Sequence, residues 1–183
     1  SSGDTLEVAS GLYDKITVEK SLTLMGNGSV IRAGGRDACV AISADNVTIS
    51  GFLVEKGFYG IKLDHVRGCK ISNNTVIHSA QPGIALLYSD GNIISGNNAS
   101  FNGIVGEGWY GIYLSNSNHN LITDNEANGN GAYGINLFPS CCNNTITGNR
   151  LQGNMYGLYM FRDCEGNVIQ NNDMSENTNS GLD

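Results

Sequence analysis

The sequence repeats itself with a period of about 23 residues. A Gly-Ile-x-Leu segment, or a close variant of it, begins at six glycines that are spaced 23, 28, 23, 23 and 24 residues apart: Gly60, Gly83, Gly111, Gly134, Gly157 and Gly181. So short and regular a period is typical of a solenoid, in which each unit stacks on the next. The apolar segments are short, alternate with polar residues and are bounded by Gly, Asn, Ser and Asp. This pattern predicts strands and turns.

A second alignment of the units produces columns of identical residues. Its central column is Ile49, Ile71, Ile94, Ile122, Ile146 and Ile169, and asparagine stands three residues after all but the first of these. From Asn92 onward, further asparagine columns lie two residues before and eight residues after the isoleucines. Consecutive rungs of a parallel sheet lie about 4.8 Å apart, so the members of a column touch, and stacked amides can donate to and accept from one another. We therefore predict an all-β fold, a right-handed single-stranded parallel β-helix with asparagine ladders at its turns.

We expect a single β-helix domain over 1–183. Residues 1–38 match the later units only loosely, and atypical terminal repeats are expected to cap a solenoid, so we interpret 1–38 as N-terminal capping coils and 39–183 as regular coils. From Gly181 the chain resembles the start of another rung, and an open parallel edge invites pairing. Further coils, or a partner subunit in a homo-oligomer, are therefore expected at the C-terminal end.

Composition excludes some partners. The chain has 17 acidic residues against 10 Lys and Arg, a formal net charge of -7. Nucleic-acid binding relies on clustered cations, so this balance argues against a nucleic-acid partner. There is no apolar run of roughly 18 residues, so we expect no membrane span. A basic and then apolar leader is also absent from the given chain.

Two segments carry a resemblance to a known family. Asn92-Ile93-Ile94-Ser95-Gly96-Asn97 and Asn144-Thr145-Ile146-Thr147-Gly148-Asn149 resemble the parallel β-helix repeats of NosD-like and related carbohydrate-binding or sugar-hydrolase proteins. The resemblance implies an extracellular, cell-surface or periplasmic protein with a polysaccharide or glycan partner, but it brings no catalytic motif. It also leaves a purely structural surface-layer or NosD-like module as an alternative.

The residues that the repeat leaves free are the candidates for glycan binding. The second and fourth residues after each leading glycine face outward and are often aromatic, and an insertion of about five residues in one unit brings a carboxylate and a tryptophan beside this row. Aromatic rings suit the C-H faces of sugars. The predicted ligand-binding residues are Glu107, Trp109, Tyr113, Phe138, Tyr159 and Phe161. The tyrosines directly before the glycines have a simpler interpretation, as packing residues of the turns.

An enzymatic alternative rests on Lys62, Asp64, His65 and Tyr88. Tyr88 has the same offset from its glycine as His65, one coil later, so the four residues are expected close together. Lys, His and Tyr near a uronate sugar could abstract and return a proton, as a polysaccharide lyase or uronate epimerase requires. The competing interpretation is a solvated charged edge. Glycoside hydrolysis is less favoured, because the register does not pair two carboxylates.

No cofactor is predicted. Soft copper ligands are near one another along the repeat, but they lack Cys-x-x-Cys or His-x-x-x-His spacing, and the ordered Asp spacing of a calcium loop is also missing. These soft ligands are Cys141, Cys142, Met155, Met160 and Cys164. Cys141 and Cys164 share an offset from their glycines, which predicts either a disulfide or two stacked thiols. Cys39 and Cys69 are expected in the core. Asn-x-Ser/Thr triplets begin at Asn27, Asn46, Asn73, Asn98 and Asn143.

Overall fold

The computed structural model describes residues 3–103 and 109–182. Within these ranges the regular elements are short β-strands joined by turns. The strands are β1 (Asp4–Val8), β2 (Gly11–Tyr13), β3 (Ile16–Val18), β4 (Leu22–Gly26), β5 (Ser29–Arg32), β6 (Val40–Ile42), β7 (Thr48–Ser50), β8 (Leu53–Glu55), β9 (Ile61–Asp64), β10 (Lys70–Ser72), β11 (Thr75–Ile77), β12 (Ile84–Leu87), β13 (Ile93–Ser95), β14 (Tyr110–Ser115), β15 (Leu121–Thr123), β16 (Tyr133–Leu137), β17 (Thr145–Thr147), β18 (Tyr156–Met160), β19 (Val168–Gln170) and β20 (Ser180–Leu182).

The strands form three parallel sheets that run along the solenoid. Sheet A consists of β1, β4, β7, β10, β13, β15, β17 and β19. Sheet B consists of β2, β5, β8 and β11, and single-residue parallel bridges continue its line into later coils. Sheet C consists of β3, β6, β9, β12, β14, β16, β18 and β20. Each strand pairs with its equivalent one coil away, so the architecture is the predicted parallel β-helix with coils of about 23 residues.

The pairing register matches the two columns found in the sequence. In sheet C, Ile84 lies between Ile61 and Ile112, and in sheet A, Ile94 lies between Ile71 and Ile122. These isoleucines are fully buried. Side chains alternate across a strand, so every second residue faces the interior. Because these inward residues are apolar, stacking them over successive coils removes a continuous apolar column from water.

Asparagine ladders connect the coils at the turns. In the longest described ladder, the side-chain Oδ1 of Asn125 accepts hydrogen bonds from the backbone N-H and the Nδ2 of Asn97, at 2.9 and 3.0 Å. The Nδ2 of Asn125 in turn donates to Ile94 O, Thr123 O and the Oδ1 of Asn149. Each amide thereby satisfies backbone groups that a tight buried turn leaves without a strand partner. The ladder is buried where later coils cover it.

The cysteines occupy the predicted positions, and all five are thiols. Cys39 and Cys69 are buried in the core, as expected. Cys141 is fully buried and Cys164 is half-buried in the next coil, where its sulfur contacts the backbone oxygens of Phe161 and Arg162. Of the two alternatives for Cys141 and Cys164, the structure therefore has the thiol pair.

We predict that Asn125→Ala lowers the free energy of unfolding by at least about 3 kcal/mol, because it leaves several buried donors and acceptors unpaired, each at a cost of roughly 1–3 kcal/mol. The matched control is Asn179→Ala: Asn179 is exposed, and no side-chain hydrogen bond of it to a described residue is seen. We expect that control to stay within about 0.5 kcal/mol of the parent. Urea unfolding measures both, and equal losses in the two variants would contradict a stabilising ladder.

Candidate functional site

The outer face of sheet C carries a cluster of aromatic side chains. Six residues from β14, β16 and β18 and the turns that follow them line a shallow cleft of about 210 Å³, which we call the aromatic cleft: Tyr110, Tyr133, Asn136, Phe138, Tyr159 and Phe161. They converge because outward residues of consecutive rungs are direct neighbours in a parallel sheet. Tyr133 pairs in register with Tyr110, and Asn136 pairs with Tyr159.

The rings of the cleft pack on one another. Ring centroids lie 5.3 Å apart for Tyr110 and Tyr133, 4.9 Å for Tyr133 and Tyr159, and 5.1 Å for Phe138 and Phe161. The Phe138 and Phe161 rings are nearly parallel, at 19°. Such pairs add about 0.5–1.5 kcal/mol beyond the area that they bury. The rings therefore hold one another in place, although Phe138 itself remains exposed.

Asn136 is the polar residue of the cleft. It faces outward from β16, yet only 3% of it is exposed, because aromatic neighbours surround it in its own strand and in the adjacent ones. Its Oδ1 is buried and has no hydrogen-bond partner among the described residues. A buried acceptor without a donor costs roughly 1–3 kcal/mol, so this oxygen is an unfilled hydrogen-bonding position inside an aromatic surface.

Two further predicted binding residues adjoin the cleft. The Tyr113 ring stacks on Tyr110 at 5.0 Å, and its hydroxyl donates to the backbone oxygen of Phe138 at 3.1 Å. Trp109 meets the ring of Tyr110 edge-on at 5.8 Å. Glu107, the remaining predicted ligand-binding residue, lies outside the described residues. Trp109 and Tyr113 thus extend the aromatic surface beyond the residues that line the cleft.

Burial changes the acidity of the tyrosines. Burial raises the pKa of Tyr110 to about 12, and the neighbouring Tyr113 and Tyr133 hydroxyls act in the same direction. Burial also raises the pKa of Tyr113, against a hydrogen bond to Ser115 that lowers it. Both hydroxyls therefore remain neutral and able to donate a hydrogen bond at physiological pH.

The four residues of the enzymatic alternative also meet, two coils before the cleft. Asp64 accepts a hydrogen bond from Lys62 Nζ at 2.7 Å through one carboxylate oxygen, and its other oxygen contacts His65 Nδ1 at 2.6 Å. The His65 and Tyr88 rings are stacked, with centroids 4.7 Å apart. Both residues occupy left-handed turn positions at the end of their strands, with φ of 56° and 51°. We call this group the charged edge.

Electrostatics make Asp64 the anionic centre of the charged edge. Partial burial alone would raise the pKa of this carboxyl, but the hydrogen bonds from Lys62 and His65 outweigh it, and the pKa lies below its ordinary value. A carboxylate on Nδ1 favours the tautomer in which Nδ1 carries the proton, which leaves Nε2 of a neutral His65 as a base. No residue of the charged edge lines the aromatic cleft.

Comparison with known proteins places this chain in a family. A family model described as "Periplasmic copper-binding protein (NosD)" matches residues 1–182. The chain belongs to the NosD family. The assignment agrees with the resemblance of the Asn-x-Ile-Ser-Gly-Asn segments and with the β-helix fold.

Copper does not fit the residues described for this NosD member. In 3–103 and 109–182 no group of three or more His, Cys, Asp or Glu side chains is placed to hold a metal ion. Burial raises the pKa of the Cys141 thiol to about 12, so in the metal-free protein it is a neutral thiol, and copper would have to displace its proton. We therefore derive no chemistry through copper.

The chain is also similar to a surface protein and to larger β-helix proteins. The "Cell surface glycoprotein" of Methanothermus fervidus is 42% identical over 77 residues, which cover 40% of this chain and 13% of that protein. Tailspike protein 2 of a bacteriophage of Escherichia coli O157:H7 superposes with a TM-score of 0.69 at 19% identity, over 83% of this chain and 22% of the tailspike. The A-module of the Azotobacter vinelandii mannuronan C-5 epimerase AlgE4 superposes with a TM-score of 0.66 at 14% identity, over 98% and 58%. The two superpositions show a shared fold alone.

The chain spans a small part of the surface glycoprotein and less than two thirds of either superposed protein. Across the part of the chain that the structure describes, no helix has the length and apolar character needed to cross a membrane.

Three cleft residues were not among the predicted binding residues: Tyr110, Tyr133 and Asn136. The sequence does contain a signal for the tyrosines, because they stand in one column before successive leading glycines, but we interpreted that column as turn packing. The structure shows that their rings pack on the outer face and line the cleft. Asn136, the second residue after Gly134, was predicted to face outward, but its burial has no signal in the sequence, because it depends on rings contributed by other coils.

We predict that replacing Tyr110 with Phe removes a tyrosinate absorbance step near pH 12. A raised folded-state pKa means that the contribution of Tyr110 to stability is fully present below pH 10 and is lost as the pH rises towards 12. The free energy of unfolding should therefore fall more steeply between these pH values in the parent than in Tyr110→Phe. Denaturant unfolding at several alkaline pH values measures both slopes, and equal slopes would contradict the burial effect.

Proposed function

We propose that this NosD-family chain is a module that binds carbohydrate through the aromatic cleft of sheet C. The observation that carries the proposal is the combination of five aromatic rings packed on one another with one buried, unpartnered amide oxygen on an otherwise regular face. Sugar-binding surfaces need flat apolar area for C-H faces and a few fixed polar groups for hydroxyls. The cleft offers apolar area at its surface and the Asn136 oxygen directly beneath it.

The division of roles follows from the geometry. The Phe138 and Phe161 rings, stacked on each other, offer apolar contact to one sugar ring, and Tyr159 continues this apolar surface, with its ring at 6.2 Å from that of Phe161. The Oδ1 of Asn136 lacks a donor and is buried beneath the rings, so a sugar hydroxyl donates to it only once a neighbouring ring turns aside. The Phe138 and Phe161 rings are held by stacking before a ligand arrives, so little of their side-chain entropy is lost on binding.

The similar proteins support the choice of partner and location without fixing either. The family description places its members in the periplasm, one relative is named for the cell surface, and one superposed protein is named for its action on mannuronan. We therefore propose a polysaccharide as the partner and the periplasm or the outer surface of the cell as the location. The formal charge of -7 repels a strongly anionic polymer from most of the surface. Such a polymer would be tolerated only next to a cation such as Lys62 or Arg162.

We predict that Phe161→Ala weakens glycan binding by roughly 2- to 12-fold, the factor that corresponds to one aromatic stacking contact. A glycan array identifies the ligand, and isothermal titration calorimetry measures the dissociation constant. The matched control is Phe101→Ala, because Phe101 is also an exposed phenylalanine and does not line the cleft. Binding that is absent in the parent, or weakened equally by both variants, would contradict the proposal.

The charged edge supports a second candidate function, proton abstraction from a uronate sugar by a lyase or epimerase. The specific observation is the Asp64 carboxylate held between Lys62 and His65, with Tyr88 stacked on the imidazole. His65 would act as the base, and Lys62 would neutralise the sugar carboxylate, which makes the proton on the neighbouring carbon more acidic. Tyr88 would supply the proton on return. The exposed position of His65 and Tyr88 favours the binding function over this one, since acid–base sites are usually enclosed.

We predict that any turnover of uronate polymers falls by about 100-fold or more in His65→Ala, because a positioned acid or base contributes at least that factor. The matched control is His119→Ala, since His119 is an exposed histidine with the same φ of 56° in a different turn. Unsaturated product is followed by ultraviolet absorbance, and epimerised product by NMR. Glycan binding without either product supports the binding module alone.

A further inference from the structure

The Asn-x-Ser/Thr triplets are not used by either proposed function. They differ in how far the fold buries their asparagine and hydroxyl side chains. Such a triplet is the acceptor for N-linked glycosylation when its asparagine and its hydroxyl both lie on an accessible surface. Three of the five triplets begin at Asn46, Asn73 and Asn143. They share a geometry that the triplets at Asn27 and Asn98 lack.

The three asparagines are exposed and lie in turns. Asn46, Asn73 and Asn143 have φ of 56°, 55° and 56°, the left-handed conformation that asparagine tolerates. Their amides make no side-chain hydrogen bond with a described residue, which sets them apart from the asparagines of the ladders. The amide that a glycosyl group would modify is therefore not needed to hold the fold together.

The hydroxyl residues of these triplets are equally well placed. Thr48, Thr75 and Thr145 are the first residues of β7, β11 and β17, and their half-buried side chains face outward. The residue between the asparagine and the threonine is buried in each case: Val47, Asn74 and Asn144. Because the middle residue faces inward, the asparagine and the threonine on either side of it both reach the surface.

A glycine of the following coil lies against each acceptor amide. Asn46 lies beside Gly68, Asn73 beside Gly96 and Asn143 beside Gly166. A Cβ built on Gly68 or Gly166 would meet the Oδ1 of that asparagine at 2.5 Å, and one built on Gly96 would meet the Oδ1 of Asn73 at 2.7 Å. Because glycine has no side chain, the next coil places only backbone against these amides, and their other side faces solvent.

In the other two triplets the serine hydroxyl is buried and already makes hydrogen bonds within the fold. Ser29 is buried, and its hydroxyl bonds to the backbone oxygens of Val8 and Ala9, at 2.7 and 2.8 Å. Asn98 is half-buried and accepts the N-H of Ser100 through its Oδ1, while the buried Ser100 hydroxyl accepts the N-H of Asn128. Neither hydroxyl is accessible in the folded protein.

We propose that Asn46, Asn73 and Asn143 are N-glycosylation sites of the folded protein, and that Asn27 and Asn98 are not. In the modification step the asparagine Nδ2 forms a bond to the anomeric carbon of the first sugar of a lipid-linked oligosaccharide. The bond from that carbon to the lipid phosphate breaks, the lipid phosphate leaves with the electron pair, and the amide proton passes to base. No oxidation or reduction is involved.

The acceptor positions lie away from the aromatic cleft. Asn46 and Asn143 precede strands of sheet A, and Asn73 follows one, whereas the cleft lies on the outer face of sheet C. Glycans at these turns would therefore cover the sheet A side and leave the cleft open. The proposal does not depend on carbohydrate binding by the cleft.

The test is to incubate the purified, folded protein with an oligosaccharyltransferase and a lipid-linked oligosaccharide, and to map glycopeptides by mass spectrometry. We expect glycan mass at Asn46, Asn73 and Asn143 and none at the other two triplets. Thr48→Ala, Thr75→Ala and Thr145→Ala should each remove one glycan, whereas the control Ser100→Ala should remove none.

A short model peptide carrying an Asn-x-Thr triplet serves as the positive control for the transferase. If that peptide is modified and the folded protein is not, the proposal is wrong. Glycan at Asn98 or Asn27 at an occupancy equal to that of the three sites would also overturn it. Circular dichroism of each variant before the reaction establishes that a lost glycan does not come from a lost fold.

Discussion

Stacking of each coil on an equivalent coil, in register and about 4.8 Å away, is the interaction on which the rest of this molecule depends. It places like residue on like residue, so apolar columns exclude water and asparagine columns exchange hydrogen bonds. The same rule operates on the outside of the solenoid. Aromatic residues at equivalent outward positions are brought into contact whether or not they serve the core, and this produces the stacked rings of sheet C.

Function in such a scaffold comes from departures from the repeat. At the position of Asn136 the two adjacent rungs carry Tyr113 and Tyr159. The small amide between these two rings creates the aromatic cleft. The charged edge arises in the same way, because Lys62, Asp64 and His65 stand at the positions that Ala85, Leu87 and Tyr88 occupy in the next coil. The column rule determines which residues meet, and the individual residue types determine the chemistry.

The family and the fold leave the chemistry open for a physical reason. Columns of isoleucine and asparagine satisfy the requirements of a β-helix without any contribution from outward residues, so the match over residues 1–182 reports mainly the scaffold. Outward residues therefore have to be interpreted one site at a time.

The sequence by itself determined the period, the strand register and the inward columns, because these depend on repeats of residue type that any β-helix must bury. It also brought Lys62, Asp64, His65 and Tyr88 together, since equal offsets in adjacent coils imply contact. The burial of Asn136, the unpartnered state of its Oδ1 and the outward packing of Tyr110 and Tyr133 were decided only by the tertiary structure. Those properties depend on the directions and sizes of rings from three coils, and no periodicity in a linear sequence encodes them.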